Sequence, residues 1–168
     1  MKGADPLVVV GMGMVLLSAT GGWLVVDAAV RNPAGVPLPT EIGGLALSSQ
    51  VTGTDAVKEF DMMHDQHFPL TSGSAGVYRD KRAAVWIGGM PFQFLAAKLV
   101  DAMHDKIAKG NSPFTPVREF QDRGRVVYEL EGMGQEHYYF QSKNLVIWLA
   151  VEPAVADSAL TQILEAYP

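Results

Sequence analysis

Hydrophobic and polar positions fall into three regimes along the chain. From Pro6 to Val26 there are 21 residues without a charge. At about 1.5 Å rise per residue, such a run crosses a hydrocarbon core of roughly 30 Å as one helix. From Arg31 to Gly44 the pattern breaks into Pro33, Pro37, Pro39, Gly35, Gly43 and Gly44. Closely spaced prolines favour an extended, semi-rigid spacer. From residue 45 onward, apolar positions recur with helix or strand periods. The predicted organisation is an N-terminal transmembrane anchor over 1–30, a Pro/Gly-rich stalk over 31–44 and a soluble α+β domain over 45–168.

Within the domain, Thr54 and Asp55 offer helix N-caps after the short apolar stretch Leu45 to Val51. Val57, Phe60, Met63/His64 and His67/Phe68 then repeat at helical spacing, and Pro69 closes that helix. Residues 76–80 and 83–89 predict a hairpin around Asp80-Lys81-Arg82. Pro91 suits the first turn of a second helix, which carries Leu95, Leu99, Met103 and Ile107 on one stripe and ends at Gly110. Four strands are expected at 115–121, 124–131, 136–142 and 144–151. Val126, Tyr128 and Leu130 alternate with Arg125, Val127, Glu129 and Glu131, the pattern of a strand with one wet face. The continuous apolar run from Leu145 to Val151 suits a central strand covered on both sides. A last helix is expected from about Ala154 to Ala166.

A faint internal echo runs through these elements. Tyr78, Lys81, Trp86 and Pro91 recur as Phe140, Lys143, Trp148 and Pro153 at a constant offset of 62 residues. The expected fold class is α+β: an antiparallel sheet with about three helices mainly on one face, built from two related β-hairpin–helix units.

The apolar run has rivals to a membrane anchor. A cleaved secretory signal has an apolar core of about 7–15 residues and a small-residue cleavage site. This run is longer, so a retained helix is expected. Gly11-Met12-Gly13 follows a Val-rich run, yet Leu16 stands where a dinucleotide fingerprint needs its third Gly or Ala. On the helix, Gly11, Ser18 and Gly22 share one stripe with Val15 between them, and small residues four apart let two membrane helices approach closely. Trp23 suits the headgroup region. Gly11, Val15, Ser18, Gly22 and Trp23 are therefore the expected partner-binding face. Lys2 before the run and Asp27 ahead of Arg31 after it tilt the orientation toward an inside N-terminus and an extracytoplasmic domain.

Charge narrows the partner classes. The chain carries 13 Lys+Arg against 18 Asp+Glu, a net −5. Setting aside Lys2, Arg31, Asp5 and Asp27 leaves 11 against 16, so the domain itself holds −5. That balance argues against a nucleic-acid footprint and against a polybasic lipid-docking patch. Cysteine is absent, which removes disulfides, thiolate catalysis, lipid-modified cysteine and iron–sulfur ligation.

The most suggestive chemical motif is a repeated pentad. Asp61-Met62-Met63-His64-Asp65 and Asp101-Ala102-Met103-His104-Asp105 both read D-x-M-H-D on expected helices. His64, His67 and His104 are the residues a zinc or copper ion would use. No tight His-x-x-x-His or Glu-x-x-His pair supports them, so boundary histidines beside solvated aspartates are expected and no metal site. His137, Tyr138, Tyr139 and Phe140 form an aromatic strand expected in the core, together with Trp86 and Trp148. Arg79, Lys81, Arg82, Arg118, Arg123 and Arg125 are expected as solvated loop charges; their competing reading is an anion pocket. No nucleophile elbow, P-loop or His-Glu-x-x-His is present.

These features predict a non-enzymatic accessory subunit of a larger membrane complex, of respiratory or photosynthetic kind, in the cell (inner) membrane. It would be single-pass with a periplasmic or otherwise extracytoplasmic domain. Its partners would be other membrane-protein subunits and the lipid bilayer, with no cofactor and no nucleic acid. The alternative is a membrane-tethered ligand-binding or sensory module; a metal-handling protein or enzyme stands behind both.

Overall fold

The computed structural model of the chain describes residues 22–64, 67–110 and 112–168. The fold is α+β, an almost wholly antiparallel sheet with about four helices. Residues 22–31 are helical. They lead into β1 (Ala34–Gly35), β2 (Glu41–Ile42), β3 (Leu45–Thr52) and helix α1 (Thr54–His64). A hairpin of β4 (Ser72–Tyr78) and β5 (Ala83–Gly89) follows, then helix α2 (Gln93–Ala108). Four strands come next: β6 (Thr115–Asp122), β7 (Arg125–Gly132), β8 (Gln135–Ser142) and β9 (Leu145–Val151). A 3₁₀ turn, Pro153–Val155, precedes the last helix, α3 (Ala156–Ala166).

The nine-stranded sheet runs β2-β3-β4-β5-β9-β8-β7-β6, with β1 parallel to the start of β4. The apolar run of β9 lies between β5 and β8. Ile147, Leu149 and Val151 are fully buried on one face, and Val146 and Trp148 pack into the other. Each fully buried aliphatic side chain of this kind contributes about 1.5–3 kcal/mol, which places the continuous run at the centre of the sheet.

Two of the three helices packed on the sheet, α1 and α2, share one face as expected, and α3 covers the other. Ala156, Ala159, Ile163 and Leu164 of α3 pack with Val85, Ile147 and Leu149. Ala56 and Phe60 of α1 and Ala96 and Val100 of α2 pack on the opposite face with Trp86, Tyr139 and Trp148. As a result β7 is covered on both faces at its middle, Val127 under one layer and Leu130 under the other, while Glu131 stays exposed near its end.

Other boundaries differ for local reasons. The stripe of α1 stops at Phe60: Met62 and Met63 are 74% and 56% exposed, and the helix ends at His64, ahead of Pro69. Pro91 does not open α2, because Phe92 is its N-cap in extended conformation. Gly110 does end α2, at φ +74° just beyond the cap residue Lys109.

The Pro/Gly-rich segment lies along the domain instead of standing off it. Ala34 pairs with Ser72, and Ile42 is fully buried against α3. The Val36 N–H donates to Ser74 Oγ (2.9 Å). The Tyr78 and Tyr167 hydroxyls donate to the carbonyls of Pro39 (2.9 Å) and Pro37 (2.6 Å). Prolines leave the segment's carbonyls without local donors, and buried tyrosines supply them. Gly53 closes the arrangement at φ +62°, where a Cβ would stand 2.9 Å from the Pro33 carbonyl oxygen.

Candidate functional site

Of the expected partner-binding face, Gly11, Val15 and Ser18 lie outside the described residues. So does the greater part of the anchor, Pro6 onward. Gly22 and Trp23 are described, on the helix of residues 22–31. Trp23, Leu24 and Val25 are 73%, 66% and 69% exposed, three consecutive large apolar side chains in the open. Beyond them Asp27 and Arg31 pair at 2.9 Å, one helical turn apart. Among the described residues, no helix is long and apolar enough to cross a membrane.

The histidine pentads do not converge. His64 is exposed and meets the Phe68 ring edge-on at 5.4 Å. Partial desolvation of its ring lowers its pKa from the ordinary value, and the Lys106 charge adds to this. His67 instead bonds Asp61, Nδ1 to Oδ2 at 2.7 Å, at the end of the same helix. His104 lies against Tyr128 at 4.8 Å. Among the described residues, no group of three His, Asp or Glu side chains is placed to share a metal ion.

The basic residues also separate. Arg82 pairs with Glu152, Arg118 with Glu129 (2.6 Å) and Arg123 with Glu165 (3.6 Å). Arg125 is the most enclosed of them. Its guanidinium donates to the carbonyls of Leu164 (2.7 Å) and Tyr167 and to Asp122 (3.1 Å). It thereby caps the C-terminus of α3 with a cation. Arg79 and Lys81 stay exposed in the β4–β5 turn, and among the described residues these charges form no common anion pocket.

The sheet does build a feature that residue types alone did not single out. Trp86, Trp148, Tyr139 and Tyr128 are successive direct partners on β5, β9, β8 and β7. They form one aromatic row across four strands under α2. Tyr128 stacks on Tyr139 at 4.7 Å and Tyr139 on Trp148 at 5.4 Å. Phe114 closes over the row, 5.0 Å from Trp148 and 4.6 Å from His137. The signal was present in the alternation of each strand, but it becomes a row only once register is known.

His137 is held at both ring nitrogens. The Trp148 Nε1–H donates to Nδ1 at 3.1 Å, and Nε2–H donates to the Gly132 carbonyl at 3.0 Å. This fixes a neutral tautomer. Burial pushes its pKa down, against the opposing effect of the Gly132 bond. Burial likewise raises the Tyr139 hydroxyl, with Tyr128 and Glu119 adding to it. With both nitrogens engaged and the phenols neutral, this cluster works as packing.

A half-open cleft of about 170 Å³ lies between the end of α2 and the edge strand β6. His104, Ile107, Val117, Glu119, Tyr128 and Tyr139 line it. The Tyr139 hydroxyl approaches His104 Nδ1 at 3.4 Å there. Sites for drug-sized ligands run to about 300–1,000 Å³, so this cleft has room for one large side chain.

No family model, curated protein or solved structure matches the chain.

Proposed function

We propose that this chain is a non-enzymatic accessory subunit of a larger membrane complex. One N-terminal helix holds it in the cell membrane, and the α+β domain lies on the extracytoplasmic side. The observation that carries the reading is the exposed Trp23-Leu24-Val25 segment, helical and continuous with the uncharged run that begins at Pro6. Three adjacent large apolar side chains in the open call for a nonpolar cover, and lipid or a neighbouring helix supplies it. A respiratory or photosynthetic assembly is the outermost step of the reading. In the domain, Tyr78 and Tyr167 bond inward to the proline segment and Arg125 to α3, which suits a brace more than a reactive centre.

The domain itself reads as two related hairpin–helix units. Support comes from the seam, where Trp86 faces Trp148 and residues 83–89 pair with 145–151 in antiparallel register. The two helices that follow these hairpins have taken opposite faces of the sheet.

Co-purification in mild detergent from the native membrane tests the reading. A Cβ at Gly22 would meet nothing within 4 Å among the described residues, so Gly22→Ile probes a partner contact without disturbing the domain. The expected result is a fixed set of co-purifying membrane proteins, depleted by Gly22→Ile. A chain recovered alone contradicts the proposal and favours the tethered ligand-binding module.

A further inference from the structure

We infer that the domain rests on the bilayer surface through Phe92 and Phe94, at the end of the sheet from which the N-terminal helix emerges. This rests on the anchor reading above. Ala34 pairs with Ser72, Ser72 with Gly89, Gly89 with Leu145, and Leu145 with Ser142. That row marks one end of the sheet across five strands. Neighbouring strands lie about 4.8 Å apart, so β1 and β5 end roughly 10 Å from each other. The helix of residues 22–31 reaches this end three residues before Ala34, and Phe92 leaves it three residues after Gly89.

Phe92 and Phe94 stack on each other at 5.6 Å and remain 49% and 58% exposed. Neither belongs to the core, where α2 contributes Ala96, Val100 and Ile107. Exposed Lys98 stands one helical turn beyond Phe94. Exposed Lys143 occupies the adjoining β8–β9 turn, tied to α2 where the Gln141 side chain bonds the Gln93 and Lys143 carbonyls. Neither lysine has an ion-pair partner among the described residues. Apolar rings rimmed by lysines suit the boundary between headgroups and acyl chains. The reach also fits: five residues of helix separate Val26 from Arg31, about 8 Å, comparable with the depth of a headgroup layer. A bilayer is therefore the occupant this end of the domain fits.

The absence of cysteine makes single labels unambiguous. The full chain would carry an environment-sensitive fluorophore at Phe94→Cys, at Lys143→Cys with both phenylalanines kept, or at Met133→Cys. Met133 is 80% exposed in the β7–β8 turn, at the opposite end of the sheet. Each protein would be reconstituted into vesicles of phosphatidylcholine and phosphatidylglycerol, floated, and titrated with a lipid-borne quencher. Labels at 94 and 143 are expected to shift to the blue and be quenched, and the label at 133 to report water. Flotation with all three labels equally exposed overturns this inference and leaves the anchor standing. A label at 94 that is shielded but not quenched overturns it too, since something other than lipid then covers the site. Failure to float overturns the anchor reading, and this inference with it.

Discussion

His137 ties the aromatic layer to a backbone carbonyl, and its two bonds require it to be neutral. Burial holds its folded pKa below the unfolded value of 6.5. The unfolded chain therefore takes up the proton first on acidification. The stability contributed by neutral His137 is complete above pH 6.5 and is lost as pH falls from there toward the folded pKa. Urea denaturation at pH 7.5 and pH 5 is expected to show a drop in stability that shrinks in His137→Phe. Trp148→Phe keeps an aromatic ring in the row but gives up part of the indole's packing and leaves Nδ1 of His137 without its donor; the lost donor alone is expected to cost about 1–3 kcal/mol at neutral pH. The repeated pentads show how far residue identity reaches by itself. His64 and His104 carry the same local motif, yet the first lies on the exposed end of α1 and the second on the rim of a cleft. Helical phase was readable; where the apolar stripe of α1 would stop was not, because that depends on how far the sheet beneath it extends.

At the scale of elements, the strands from residue 115 onward were legible to within about a residue. Their alternation is local, and tight turns with residues at positive φ, such as Arg123-Gly124 and Met133-Gly134, punctuate them. The segment over 31–44 was misread because its partners are remote: Tyr167 reaches Pro37 across 130 residues. Composition signals an extended chain but does not say what the chain lies against. That α3 would leave the face shared by α1 and α2 was not legible for the same reason, since the connections after β5 and β9 look alike and turn opposite ways. Two substitutions test this packing. Gly53→Ala forces a Cβ toward the Pro33 carbonyl at positive φ and is expected to cost about 1–3 kcal/mol in thermal or urea denaturation. Arg125→Ala removes the cation from the last carbonyls of α3 and is expected to cost about 1.5–3 kcal/mol, with earlier amide exchange along residues 160–166.

At the scale of the whole molecule, an acidic domain with a two-sided core continues from a short helix that leaves Trp23, Leu24 and Val25 uncovered. The proline segment, folded onto the sheet, fixes where that helix joins the domain. An anchor attached this way would hold the domain in one attitude relative to the bilayer, as a brace requires. All of this depends on residues 6–26 holding the chain in the membrane. The direct measurement is alkaline carbonate extraction of membranes carrying either the full chain or a variant that begins at Asp27. The full chain is expected to stay in the membrane pellet while the shortened variant is found in the supernatant. Release of the full chain by carbonate would contradict the anchor reading.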